Sequence, residues 1–289
     1  MYYKNIIILI NFLIIISAIF IVNSDNHKHK YFEEDELTLV SAYYQMKSKH
    51  PHKEYLYWLR NLLLLNKSLV FFTNKKFMPI LKRLRPNKLF YKTIFVELEM
   101  KDFYAYKHFK SEFNKSFYID PENSYHSIPL YMIWAEKNMF LKKAILNNTF
   151  HSKCFYWIDA GYFRENKVSM KKYKNNWPST KKCFEDKRLL MGQVKNFTYL
   201  EKKKIVNFDI PALKQLQSNI NVIGGFFGGQ VENIIKFGNY YYKAINEYSK
   251  KNLFIGKDQN IYTFVAFSHP EIVKLVFFPN YQYFKFYLK

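Results

Sequence analysis

The hydrophobic pattern of the chain changes period repeatedly, and each change marks an element. Leu37 to Tyr44 (LTLVSAYY) is rich in β-formers and predicts a first strand. Tyr55, Trp58, Leu59, Leu62 and Leu63 then recur at the i, i+3, i+4, i+7, i+8 spacing of an amphipathic helix, before Ser68 to Thr73 (SLVFFT) returns to an extended apolar run. A short helix from Pro79, a strand from Thr93 to Leu98 and a mixed aromatic segment follow. Alternating strands and helices of this kind predict an α/β domain with parallel strands.

The longest helical pattern runs from Ser127 to Asn147, with Leu130, Trp134, Met139, Leu141 and Ile145 set among polar residues. It leads into Cys154-Phe-Tyr-Trp-Ile-Asp-Ala-Gly161, a buried strand that ends in a carboxylate. The carboxyl ends of parallel strands are where open sheets bind ligands, so Asp159 is a candidate site residue; Asp before Ala-Gly also serves as a turn cap, and the residues alone leave both readings open. The lysine-rich stretch from Arg164 to Lys204 reads as a surface excursion and a candidate lid. Asn219 to Ile223 reads as a strand running into Gly224-Gly-Phe-Phe-Gly-Gly229, a frame suited to a sharp turn or to close approach of a ligand. Val231, Ile234, Ile235, Gly238, Tyr242 and Ile245 form one face of a helix. Asp258 precedes Ile261, Phe264 and Val265, at a helix start where a cap is expected. Phe284, Phe286 and Leu288 alternate with Tyr283, Lys285 and Tyr287 as in a half-buried strand.

At the other end, Ile6 to Val22 is almost uninterruptedly apolar, broken only by Asn11 and Ser17. It is close to the length that spans a bilayer; the alternative is a signal peptide cut near Asn23 or Ser24, although no clean small-x-small pattern stands there. The expected organisation is an N-terminal signal anchor over residues 1–22, a linker over 23–36, and a single domain over 37–289 facing the lumen of a secretory system. Four Asn-x-Ser/Thr triplets, at Asn66, Asn114, Asn147 and Asn196, agree with that placement. Cys154 and Cys183 permit one disulfide in an oxidising compartment or two thiols in a reducing one.

Composition adds one exclusion. The chain has 289 residues and a formal charge of +22, which raises the question of nucleic acid or an anionic surface. All but five of its 45 basic residues are lysines, however, spread along the whole length rather than gathered in a tail. Base and phosphate readers lean on arginine's planar fork, and no zinc-finger or RNA-binding signature is present, so no specific nucleic-acid partner is expected. Neither GxGxxG nor a phosphate-binding GKS/GKT occurs.

Three segments in order, SIPLYMIWAEKNMFLKKAILNNTFHSKCFYWIDAGYFR, NVIGGFFGGQ and FIGKDQNIYTFVA, resemble the HtrL/YibB family, also called WlaTC/HtrL. With LTLVSAYY, YLYWLRNLLLL and SLVFFTN at the start, the resemblance covers about Leu37 to Phe277. That family in turn looks like a relative of the GT-A glycosyltransferases. The resemblance implies a GT-A-like α/β fold with a mixed, mainly parallel sheet flanked by helices. It implies transfer of a sugar from a nucleotide-diphosphate donor to a glycan or glycoconjugate. Asp159 would take the place of the strand-end acid that holds a divalent cation, Mn or Mg, against the diphosphate. The second carboxylate of the usual Asp-x-Asp would fall at position 161, where this chain has Gly161. A metal-independent variant would meet the diphosphate with Lys or Arg, for which Lys75, Lys76, Lys82 and Arg83 are candidates. Gly224, Gly225, Gly228 and Gly229 would approach donor or acceptor, Phe226 or Phe227 would stack on a sugar, and Asp258, paired with Gln259, would act as base or orient the acceptor. The alternative is a catalytically inactive, membrane-anchored relative that binds glycans or partners, motivated by the missing acid at Gly161.

Overall fold

The computed structural model describes residues 36–164, 170–217, 219–278 and 287, all within the unit Glu34–Lys289. The apolar run Ile6 to Val22 and the alternation at Tyr283 to Leu288, Tyr287 aside, lie outside the described residues. Among the described residues no helix is long and apolar enough to cross a membrane. The strands are β1 (Leu37–Ala42), β2 (Ser68–Thr73), β3 (Thr93–Glu97), β4 (Cys154–Ile158), β5 (Leu189–Gln193), β6 (Val222–Gln230) and β7 (Val273–Phe277). The helices are α1 (His52–Leu63), α2 (Met78–Leu84), α3 (Tyr104–Phe117), α4 (Ile128–Asn147), α5 (Lys181–Glu185), α6 (Tyr199–Val206), α7 (Ile210–Gln217), α8 (Val231–Lys250) and α9 (Asp258–Ser268).

The seven strands form one sheet in the order β3-β2-β1-β4-β6-β5-β7. It is mixed and mostly parallel: β6 alone runs against its neighbours, β4 and β5. Strands β1, β2, β4 and β5 are buried at every residue, as expected of strands covered on both faces. On one face Leu39, Leu69, Phe71, Tyr156 and Ile158 cluster with Leu59, Leu62 and Leu63 of α1 and Leu81 of α2. On the other, Phe140 of α4 packs on Phe72 and stacks on Trp157, while Phe227 meets Phe237 of α8 and Tyr262 of α9. Each such buried aliphatic or aromatic side chain contributes roughly 1.5–3 kcal/mol of transfer free energy.

Three expectations change. The excursion from Arg164 to Lys204 contains β5, an inner strand of the sheet, and α5, whose Cys183 forms a disulfide with Cys154 at the start of β4. LLMGQ was hidden because it is short, contains no β-branched residue and lies between lysine-rich flanks. The mixed aromatic segment is helix α3, with Phe109 and Phe113 on its buried side. Helices α6 and α7 and strand β7 are likewise additions. Three of the sequon asparagines, Asn114, Asn147 and Asn196, are exposed, whereas the side-chain oxygen of Asn66 is buried.

The doubled glycine frame is the third. It makes no turn: it is the body of β6, and no described glycine has a positive φ. A Cβ on Gly228 would stand 2.1 Å from the Phe155 carbonyl oxygen and 2.6 Å from the Tyr156 Cα, so β4 leaves no room there for a side chain. Gly228→Ala is therefore expected to cost at least ~3 kcal/mol in urea unfolding, since both obstacles are backbone. Gly238→Ala on α8 should instead be neutral or stabilise by up to about 1 kcal/mol, because the nearest atom, Asn138 Cβ, is 3.4 Å away.

Helices α3 and α4 are joined by a buried acid. Glu136 accepts hydrogen bonds from the amides of Tyr104 (3.0 Å) and Ala105 (2.9 Å), satisfying donors that the first turn of α3 leaves unpaired. Burial pushes Glu136 up to about 7 from an ordinary 4.5, against the pull of those two amides. The folded state thus favours the protonated acid, a contribution fully present below pH 4.5 and lost as pH rises through about 7. The thermal midpoint should fall over that interval more steeply in the native chain than in Glu136→Gln.

Candidate functional site

Chain order fixes where a crevice can open. From β1 the sheet grows one way through β2 and β3, and the other way through β4, so the two halves diverge between β1 and β4. Beyond the carboxyl ends of these two strands the loops part, which is where open α/β sheets bind ligands. A cavity of about 550 Å³ lies there, walled by Ala42, Tyr43 and Tyr44 at the end of β1 and by Trp157, Asp159 and Tyr162 of β4 and its loop. Tyr55, Trp134, Lys137, Arg164, Gly225 and Gln259 complete much of the wall.

Asp159 stands one residue past β4, with its amide bonded to the Gly225 carbonyl (2.8 Å) as the β4–β6 ladder runs out. Its Oδ1 accepts a hydrogen bond from Trp157 Nε1 (2.7 Å), two residues back on the same side of the strand. The same oxygen is 3.0 Å from Lys137 Nζ, which reaches over from the middle of α4. Lys137 Nζ is also 2.8 Å from Asp258 Oδ2, at the first residue of α9, and donates to the Gly224 carbonyl (2.9 Å). One ammonium thus gathers the end of β4, the start of α9 and the first glycine pair of β6. The space there is tight: a Cβ on Gly224 would stand 3.0 Å from Asp258 Oδ2, and one on Gly225 3.2 Å from Asp159 Oδ2, so either carboxylate would have to give way.

Burial pulls the Lys137 pKa down, but the two carboxylates more than compensate and hold it above the ordinary lysine value. For Asp258 the balance goes the other way. Burial raises its pKa beyond what Lys137 takes back, and the Asp159 charge adds to the rise. The two acids also differ in access: the Asp159 side chain is 39% exposed, that of Asp258 only 5%. Asp159 is therefore the carboxylate a ligand can reach.

The candidate residues separate accordingly. Asp159, Gly225 and Gln259 line the cavity, and Gly224 and Asp258 stand directly behind it, tied in through Lys137. Gly228 and Gly229 lie farther along β6 against β4 and the β5 flank. Phe226 and Phe227 are wholly buried, Phe226 stacked on Tyr156 and Phe227 against Phe237, so neither offers a face for stacking on a sugar. Lys75, Lys76, Lys82 and Arg83 are exposed and none lines the cavity. The cations there are Lys137 and Arg164, both missed in the sequence. The available signal for Lys137 was the polar triplet Glu136-Lys137-Asn138 interrupting the apolar run from Ile128 to Leu141, all three buried.

A family described as "Bacterial protein of unknown function (HtrL_YibB)" matches residues 35–288. The chain belongs to the HtrL_YibB family. No curated protein matches it. The matched span takes in every strand and helix described above, including the elements that carry Lys137, Asp159, Gly224 and Asp258.

The divalent cation that the resemblance implies would need several oxygen ligands. Among the described residues no three His, Cys, Asp or Glu side chains converge on one point. Among the described residues Asp159 is the sole carboxylate in the cavity wall, and its Oδ1 already serves Trp157 and Lys137. A second cation beside Lys137 would meet its ammonium at close range. These residues do not fit a preformed metal site.

Removing the ammonium leaves two carboxylates without a counter-charge, one of them buried. Lys137→Met should cost about 3–5 kcal/mol by denaturant unfolding. Adding Asp258→Asn should regain part of that loss, whereas full additivity of the two substitutions would show that the ion pair is not the cause.

Proposed function

We propose that this HtrL_YibB member is a glycosyltransferase of GT-A type, moving a sugar from a nucleotide-diphosphate donor to a glycan or glycoconjugate in the cavity beyond β1 and β4. The observation that carries this reading is Asp159, a partly exposed acid past the end of a switch-point strand, held by Lys137 to Asp258 and the Gly224 carbonyl. The mixed, mostly parallel sheet with helices on both faces supports it. So does the cavity itself, whose ~550 Å³ lies within the usual range for small-molecule sites and whose aromatic walls suit sugar and base rings.

In such a transfer the bond between the anomeric carbon and the diphosphate oxygen breaks, and its electron pair leaves with the nucleoside diphosphate. The acceptor hydroxyl oxygen bonds to the anomeric carbon, and its proton passes to a base. Asp159 is the carboxylate at the cavity wall for that role; Asp258, behind Lys137, positions it. The domain would work outside the reducing cytoplasm, tethered by the apolar run Ile6 to Val22, and the Cys154–Cys183 disulfide supports an oxidising compartment. The second reading is a catalytically inactive relative that binds glycans, favoured by the burial of Asp258, which leaves Asp159 as the reachable acid among the described wall residues.

A panel of nucleotide sugars, read as release of nucleoside diphosphate, tests the two. Turnover that falls by ~10²–10⁴-fold in Asp159→Asn is expected for the enzyme. Thermal stabilisation by nucleotide or glycan with no turnover of any donor would establish the inactive relative instead.

A further inference from the structure

Position 161 explains its own missing carboxylate. A Cβ there would come 3.0 Å from Trp58 Cε3 and 3.2 Å from Tyr55 Cε1, so even alanine is tight and an aspartate would displace the indole. That indole is a platform. The Arg164 guanidinium lies over the Trp58 ring, its Cζ 4.5 Å from the ring centroid. Arg164 Nε donates to the Gly161 carbonyl (3.2 Å), and Nη1 is 3.4 Å from His50 Nε2. The Asp-Ala-Gly turn, the indole and the guanidinium are thus one construction: the glycine that lacks an acid admits the ring that supports a cation.

The charges in the cavity wall point the same way. Lys137 is committed to Asp159, Asp258 and the Gly224 carbonyl, which leaves Arg164 as the exposed cation among the described wall residues. Its planar fork carries five donors, more than these contacts use, in the geometry that matches phosphate oxygens. Stacking on Trp58 settles the side chain in advance and so lowers the entropy lost on binding.

We propose that the cavity takes the diphosphate group of its ligand on Arg164, without a divalent cation. The inference rests on the sugar-transfer reading only for the identity of the ligand that carries the diphosphate. In the transfer itself, the negative charge left on the departing nucleoside diphosphate would be met by the guanidinium.

The test is calorimetric titration of the full-length chain with inorganic pyrophosphate and with uridine and guanosine diphosphates, in EDTA and in Mn²⁺. At least one probe is expected to bind in EDTA, with an affinity that Mn²⁺ changes by less than about twofold. Arg164→Ala should weaken that binding by about tenfold or more and Arg164→Lys by less, as loss of a charge-assisted bidentate contact predicts. The double substitution Lys75→Ala and Lys82→Ala, on exposed residues away from the cavity, should leave it unchanged. Binding that requires Mn²⁺, binding in EDTA indifferent to Arg164→Ala, or no binding of any probe in either condition would each overturn the proposal. Metal-free, Arg164-dependent binding alongside a donor panel with no turnover would sink sugar transfer and leave this inference standing; Mn²⁺-dependent turnover would do the reverse.

Discussion

One buried ammonium organises the site. Lys137 stands between two carboxylates and a carbonyl that come from three separate elements, and without its charge they would repel each other across a few ångströms of low-dielectric interior. The arrangement tolerates this because every direction of the ammonium has an oxygen partner. It also fixes a hierarchy: Asp258 is buried and held at the start of α9, so Asp159 is left as the acid that faces the cavity.

The rest of the fold brings those three elements to one point. Strand β6 must lie close to β4 for its first glycines to reach the carboxylates, and Gly228 makes that closeness sterically feasible in the middle of the same ladder. The disulfide ties α5 to the first residue of β4, closing a 29-residue separation that contributes roughly 3–4 kcal/mol by loop-entropy reckoning. Arg85 does comparable work on the flank: fully buried, it donates to the carbonyls of Leu63, Leu65 and Lys67 and so satisfies the chain between α1 and β2. A neighbouring arginine at position 83 is merely exposed, which sequence position alone does not distinguish.

Strands with dense β-branched or aromatic content, such as LTLVSA and SLVFFT, were legible because their pattern belongs to one local period. β5 was not, since LLMGQ owes its strand conformation to pairing with β6 and β7 rather than to its own residues. The aromatics of GGFFGG were misjudged for a related reason. Flanking glycines look like loop, yet burial of Phe226 and Phe227 on opposite faces of an inner strand is what holds β6 in place. Asp159 and Asp258 were recognisable as acids at element ends, and the structure leaves Asp159 at the cavity wall and buries Asp258 behind it.

The sequence by itself determined the class of fold, the positions of the first strands and of the long helices, and the two aspartates worth attention, because hydrophobic period and element-end chemistry are local properties. Only tertiary structure decided that Lys137 joins those aspartates, that Gly161 makes room for Trp58 beneath Arg164, and that Phe226 and Phe227 belong to the core. Each of these depends on a contact between residues far apart in the chain, and such contacts come into being only when the sheet closes its order and brings the helices down upon it.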